Sequence, residues 1–378
     1  MNAVREPEQI PVTLLTGFLG SGKTTLLNQL VRQPELADAL VIVNEFGEMA
    51  LDHLLMVHSR EQTVLELGGG CLCCNVRTDL VEVLRDAPWR FARQGRRQFR
   101  RVVIETTGLA DPVPIVHTLL GHPDVAGRYV LDGVVTTVDL ATAQASLDRH
   151  EEAVRQVVIA DVLLLTKDDL VEDAARAALE QRLRRLNPAA PRHRARHGQV
   201  PAAALLGLGL FSVQGKQPDV VAWLNEEAYL PLPAAPAFAF QLGMRQLEAQ
   251  AAAPDPNRHD DHVQAFCFRI EEPIAEQVLG LWLDTLVGML GPALLRIKGI
   301  VHVQGQAGPL VVHAVQQLFH PAQALPAWPD DDRGSRLVFI TRDVEPALIT
   351  QTFEAFRTSA ALRPVSSGTW PPQALGPA

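Results

Sequence analysis

Residues 10–24 restrict the possible folds more than any other stretch. An apolar run at 10–16 leads into Gly17-Phe-Leu-Gly-Ser-Gly-Lys-Thr24, and a helical pattern of apolar residues begins directly behind it. A strand that turns through three glycines into a helix is the opening unit of an α/β sheet. The glycines let successive backbone N–H groups converge on one point, and the helix N-terminus adds partial positive charge. Phosphate is the ligand that suits such a loop. In the pattern G-x-x-x-x-G-K-[ST], the loop is Gly17, Gly20, Ser21 and Gly22. Lys23 is placed to reach the β- and γ-phosphates, the Thr24 hydroxyl to ligate Mg²⁺, and Thr25 to meet the α-phosphate. A chance glycine-rich turn would require neither the strand before it nor the helix after it.

Short apolar runs recur at 39–43, 63–66, 101–105, 130–138 and 162–166, with helical patterns beginning near Thr24, Asn75, Asp111, Glu151 and Glu172. Several of these runs lack polar alternation, as expected of strands buried on both faces of a parallel sheet. The fold class that follows is α/β, a doubly wound, mostly parallel sheet. Residues 231–261 change character. Leu-Pro-Leu-Pro-Ala-Ala-Pro and the Pro-Asp-Pro-Asn-Arg-His-Asp-Asp stretch read as a linker. A smaller α+β unit follows at 262–360, with strands at 263–270, 294–303, 310–316 and 336–341 and helices at 274–290 and 345–356. Residues 1–230 form the first domain in this reading, and residues 361–378 a flexible tail.

Two further motifs extend the phosphate loop. Val102-Val-Ile-Glu-Thr-Thr-Gly108 is an apolar strand ending in an acid and a glycine. An acid at the carboxyl end of a neighbouring strand can hold Mg²⁺ or orient water, which makes Glu105 and Lys23 the catalytic candidates. Gly108 can donate its N–H to a γ-phosphate. Val162-Leu-Leu-Leu-Thr-Lys-Asp-Asp169 ends a strand in Thr-Lys-x-Asp. Asp169 can accept from guanine N1–H and N2–H₂, a pair adenine lacks, so GTP is expected over ATP. Lys167 would lay its stem over the base. Thr166 stands where asparagine is more usual.

Three of the four cysteines, Cys71, Cys73 and Cys74, fall within four residues behind a triple glycine. Adjacent cysteines cannot readily bridge each other. Thiolates at this density suit Zn²⁺, Co²⁺ or another borderline ion, and three ligands leave room for exchange. Buried thiols or a redox switch are the plainer readings. Glu45, Glu48 and Asp52 follow the second strand, where each could meet a metal or only water. His259 and His262 could form a weak second metal site, although a solvated linker is the better explanation of them. Four cysteines do not make a secreted disulfide framework, and a reducing cytoplasm fits them better. The formal charge of −9 argues against a general nucleic-acid partner. No run of about 18 apolar residues suggests a membrane span.

These motifs together resemble the CobW-like family of P-loop GTPases, close to its zinc-linked metallochaperone branch. The resemblance rests on GFLGSGKTTLL at 17–27, NEFGE at 44–48, GCLCC at 70–74, IETTGLADP at 104–112 and TKDD at 166–169, with LLRIKGI at 294–300 and LVFI at 337–340. It implies a slow GTPase that uses GTP and Mg²⁺, binds Zn²⁺ or a related ion, and delivers it to a client metalloprotein. It also implies Cys71, Cys73, Cys74 and Glu48 as metal residues. Leu109 follows Gly108 where a water-positioning glutamine would help, so slow turnover is expected. A zinc-sensing GTPase adaptor that never hands over its ion is the rival reading. A small-molecule kinase or ATPase is a third, opposed by Asp169. The residues identify neither the client nor an oligomeric state, monomer or homo-oligomer.

Overall fold

The computed structural model describes residues 9–43, 56–58, 61–63, 65–66, 75–208, 220–231 and 262–362. They divide into two compact units, Met1–Trp223 and Leu224–Ala378.

The first unit is built on six parallel strands: β1 (Ile10–Gly17), β2 (Ala39–Val43), β3 (Arg101–Glu105), β4 (Tyr129–Asp139), β5 (Val162–Thr166) and β6 (Arg192–Ala195). Their spatial order is 6-5-4-1-3-2, every neighbouring pair running parallel. Val, Ile and Leu fill the central strands because helices cover both faces. These helices are α1 (Lys23–Leu30), α2 (Asn75–Arg90), α3 (Val113–Gly121), α4 (Glu151–Val158) and α5 (Asp173–Leu186). Chain order reverses at β1, between β3 and β4. The carboxyl end of a strand at such a switch point is where a doubly wound sheet opens a crevice. Beyond β2, residues 56–58 and 61–63 add short antiparallel strands, and residues 65–66 pair parallel with Ile42 and Val43.

The second unit is an antiparallel sheet of β7 (Val263–Ile270), β8 (Leu294–Val301), β9 (Leu310–Val315) and β10 (Ser335–Arg342), in the order 7-10-8-9. Helices α6 (Glu276–Leu290) and α7 (Pro346–Leu362) belong to its core. Trp282 on α6 is fully buried, with Phe268, Phe339 and Phe353 packed edge-on around it. Its indole N–H donates to Thr352 Oγ1. Leu230–Pro231 pairs with Phe266 and Cys267 of β7, so the chain joins this sheet before residue 231. Cys267 is a buried core thiol, which burial pushes up to about 12.

Candidate nucleotide site

The loop after β1 is held open by backbone geometry. Gly20 and Gly22 have φ of 72° and 92°, a region where side chains strain the backbone. At Gly17 a Cβ would lie 2.2 Å from Thr137 Oγ1, so only glycine fits. The Ser21 and Thr137 hydroxyls share a hydrogen bond of 2.7 Å, which fastens the loop to the end of β4. Lys23 is buried and folds back over the loop, donating to the carbonyls of Gly17 (2.9 Å) and Phe18 (3.3 Å). Its ammonium therefore lies across the mouth of the loop, where phosphate charge would be neutralised.

Glu105 ends β3 opposite Leu15 of β1 and Val43 of β2. It is buried, and Thr24 Oγ1 donates to its Oε1 at 2.9 Å. Residues 24 and 105, chosen separately from the sequence, thus form one polar centre. Thr106 repeats the tie one residue on, donating from its hydroxyl to Thr16 Oγ1. Gly108 lies so close to the phosphate loop that a Cβ there would sit 2.7 Å from Leu19 Cα.

The Thr-Lys-Asp-Asp segment meets the same loop from the other side. Thr166 donates to the Ser21 carbonyl at 2.9 Å and to the Val138 carbonyl at 3.3 Å. One hydroxyl thereby joins β5, β4 and the phosphate loop, so threonine serves structurally at this position. Lys167 adopts φ 56° and donates to Asp139 Oδ2 at 2.8 Å. The two aspartates separate in role. Asp168 is buried and takes a bidentate grip from Arg196, with Nε–O distances of 3.2 Å and an Nη2–Oδ2 distance of 2.9 Å. That hydrogen bond holds the Asp168 carboxyl below its ordinary range. Asp169 is exposed. Thr25 is exposed too, and the Gly198 turn behind β6 reaches its carbonyl closely enough that a Cβ would fall 2.8 Å away.

A family model for the CobW/HypB/UreG nucleotide-binding domain matches residues 11–194, and one for the cobalamin synthesis protein CobW C-terminal domain matches residues 263–357. The zinc chaperone YjiA of Escherichia coli K12 is 32% identical over 92% of this chain and 99% of its own length. The zinc chaperone CobW of a Sinorhizobium species is 27% identical over 92% of this chain and 97% of its own. The chain belongs to the CobW family of P-loop GTPases. The crystal structure of zinc(II)-bound Escherichia coli YjiA GTPase superposes with a TM-score of 0.63 at 27% identity, covering 92% of this chain and 99% of that one.

In this CobW-family chain the structure brings together Gly17, Gly20, Ser21, Gly22, Lys23, Thr24, Thr25, Glu105, Gly108, Thr166 and Lys167, with Asp169 next to them in sequence. Cys71, Cys73, Cys74, Glu48, Glu45, Asp52 and His259 lie outside the described residues. His262 is described, and its Nδ1 lies 2.5 Å from Asp343 Oδ1 in an exposed pair. Sequence reasoning missed three contributors. Arg196 fixes Asp168, yet it lies on a polar segment behind a short edge strand. Arg155 and Gln156 on α4 grip the loop after Glu105. Arg155 pairs with Asp111 Oδ2 and Glu151 Oε1, each at 2.6 Å, while Gln156 Nε2 donates to the carbonyls of Gly108 (3.2 Å) and Ala110 (3.0 Å). Among the described residues no helix is long and apolar enough to cross a membrane.

Proposed function

We propose that this chain is a GTP-driven zinc chaperone. In this account Cys71, Cys73 and Cys74, with Glu48, hold Zn²⁺ or a related divalent ion, and the nucleotide state governs its release to a client metalloprotein. The observation that carries the proposal is one of register. The strand at 65–66 pairs with Val43, and Val43 pairs on its other side with Glu105. The chain thus departs toward the cysteines from the same sheet edge at which the nucleotide-side acid sits. The full-length relatives named zinc chaperones support the cargo.

The residues fit a Mg²⁺ cofactor. Thr24 and Glu105 present hard oxygens 2.9 Å apart, close to the separation of two adjacent ligands in an octahedron with bonds of about 2.1 Å. Thr24 and Glu105 would hold Mg²⁺, which when bound there would supply positive charge to offset the charge developing on the leaving diphosphate. Lys23 would give up its loop carbonyls for phosphate oxygens. Gly108 would supply a backbone N–H to the γ-phosphate, and Asp169 would accept from the guanine edge while the Lys167 stem covers the base. With Leu109 after Gly108, water is poorly positioned, and hydrolysis is slow.

Zinc affinity tests the proposal. It would be measured by chelator competition with GDP, with a non-hydrolysable GTP analogue and without nucleotide, in the wild type and in Cys73→Ser. The expected result is an affinity that changes with nucleotide and collapses in the variant. An affinity indifferent to nucleotide makes the zinc structural and moves the adaptor reading ahead. A zinc(II)-bound structure of a triple mutant of YjiA, with one glutamate and two cysteines replaced by alanine, matches this chain with a TM-score of 0.64 at 27% identity, over 92% of this chain and 99% of that one. Occupancy by zinc alone is therefore a weaker readout than nucleotide dependence.

A further inference from the structure

Gln156 is a deeply buried polar side chain among the described residues, beside the nucleotide site but with no part in the nucleotide chemistry given above. It lies on α4 with 1% of its surface exposed. Its Nε2 spends both hydrogens on one loop, donating to the carbonyls of Gly108 and Ala110. Its Oε1 is buried and finds no donor among the described residues. A buried amide oxygen without a donor carries its full desolvation penalty. Such an atom beside a nucleotide site is an acceptor open to a donor from a second arrangement of the 108–110 loop.

The local geometry supplies that donor. In a trans peptide the N–H points opposite to the C=O. With the Gly108 and Ala110 carbonyls turned toward α4, the N–H groups of Leu109 and Asp111 point away from it. Rotating the 108–109 peptide would release the Gly108 carbonyl and turn the Leu109 N–H toward α4, where a turn of the Gln156 amide about its last side-chain bond would present Oε1 to it. Glycine at 108 makes this rotation accessible, and the contact with Leu19 couples it to the phosphate loop. Helix α4 is well placed to hold both arrangements. Gln156 O accepts from Thr136 Oγ1 at 2.7 Å, and Asn187 Nδ2 donates to the carbonyls of Val157, Val158 and Ala160.

We infer that Gln156 is a positioning residue for the GTPase switch. Its amide N–H₂ holds the 108–110 carbonyls in the arrangement described here, and its amide oxygen accepts the Leu109 N–H when a triphosphate draws Gly108 to the γ-phosphate. The inference rests on the nucleotide-site reading given above and goes beyond it by naming the group that distinguishes the two states.

The test is backbone hydrogen exchange on the full chain, with GDP and with a non-hydrolysable GTP analogue. In the wild type, exchange of the Leu109 amide slows about tenfold in the analogue relative to GDP, the effect of about one gained hydrogen bond. Gln156→Met keeps the length and removes both hydrogen-bonding functions, and the difference disappears. Gln156→Glu keeps an acceptor oxygen at the same length, and the difference returns. A methionine variant with the wild-type difference, or a glutamate variant that behaves like methionine, overturns the inference. Amides 17–25 report separately. If neither nucleotide protects them in the wild type, the nucleotide-site reading itself falls and takes the switch role with it. Protection there with no change at Leu109 overturns the switch role alone.

Discussion

The two sheets bury polar groups in different places. In the parallel sheet, Thr16, Glu105, Thr106, Thr136, Thr137, Asp139 and Thr166 lie at or near the carboxyl ends of strands, and a second buried group, Thr13, Arg101 and Asp132, lies further back among Val, Ile and Leu, with Asp132 accepting from both of the others. In the antiparallel sheet, Arg296, Lys298, His313 and Arg336 are buried along the strands themselves. Register places Lys298 opposite both His313 and Val338, so the polar residues share the face away from the aromatic core. Arg336 is matched there by Asp330 at 2.8 Å and Glu226 at 3.3 Å. Polarity gathered at the carboxyl ends of strands, most of it not matched there by opposite charge, builds a ligand site. Polarity spread along strands and matched by acids is internal structure.

Four predictions probe this contrast, in descending order of effect. Trp282→Ala opens the aromatic centre of the antiparallel sheet and costs about 3–5 kcal/mol in denaturant unfolding. A loss under about 1 kcal/mol would show that this core is not the stabilising element. Lys23→Ala removes the ammonium at the loop mouth. GTP turnover falls at least about 100-fold, because one preorganised charge donor is lost, while the melting temperature stays nearly constant. Equal losses of stability and activity would break the distinction between site and structure.

Thr166→Val keeps the shape and deletes the donor to Ser21 and Val138. Those buried carbonyls lose a partner, and GTP-analogue affinity drops about tenfold, measured by fluorescent nucleotide titration. Unchanged affinity would mean that the tie between base segment and phosphate loop is incidental.

The smallest effect concerns pH, and it separates the two sheets. His313 is held well below its ordinary 6.5 by burial first, then by the charges of His320, Arg296 and Lys298. The folded state keeps it neutral, so its contribution is complete above pH 6.5. As pH falls below that value the unfolded chain takes up the proton first, and stability is lost. Asp168 is also lowered, chiefly by its hydrogen bond from Arg196, from an ordinary 3.8. Its contribution is complete above 3.8 and fades only below it. Between pH 6.5 and about 4 the antiparallel sheet therefore weakens while the Asp168 tie persists. Denaturant unfolding of the full chain, repeated across that pH window, reads the first effect, and His313→Gln flattens it. A wild-type signal flat over that window would contradict the assignment.

Much of this arrangement was legible in the residues. Runs of Val, Ile and Leu placed the strands at 39–43, 101–105 and 162–166 correctly, since a strand buried on both faces tolerates little else. Helix starts at Asn75 and Glu151 also read correctly. The edge strand Arg192–Ala195 was missed because Arg-His-Arg-Ala carries no apolar signal, and an edge needs none. The helix Ala143–Arg149 was too short and mixed to show a period. In the site, the phosphate loop and Glu105 could be read because their spacing is local. The division of labour between Asp168 and Asp169 could not, since it depends on Arg196 arriving from the segment just behind the edge strand β6. Gln156 gave no signal at all. A glutamine in an amphipathic helix looks like surface until the 108–110 loop folds over it.

The central claim, that nucleotide and zinc share one energetic coupling, is tested most directly from the nucleotide side. GTP-analogue affinity would be titrated on the full chain with saturating Zn²⁺ and with none. Linkage requires zinc to change GTP affinity by the same factor that GTP changes zinc affinity, and the account predicts a change of at least about fivefold. Equal GTP affinity in the two conditions would contradict it.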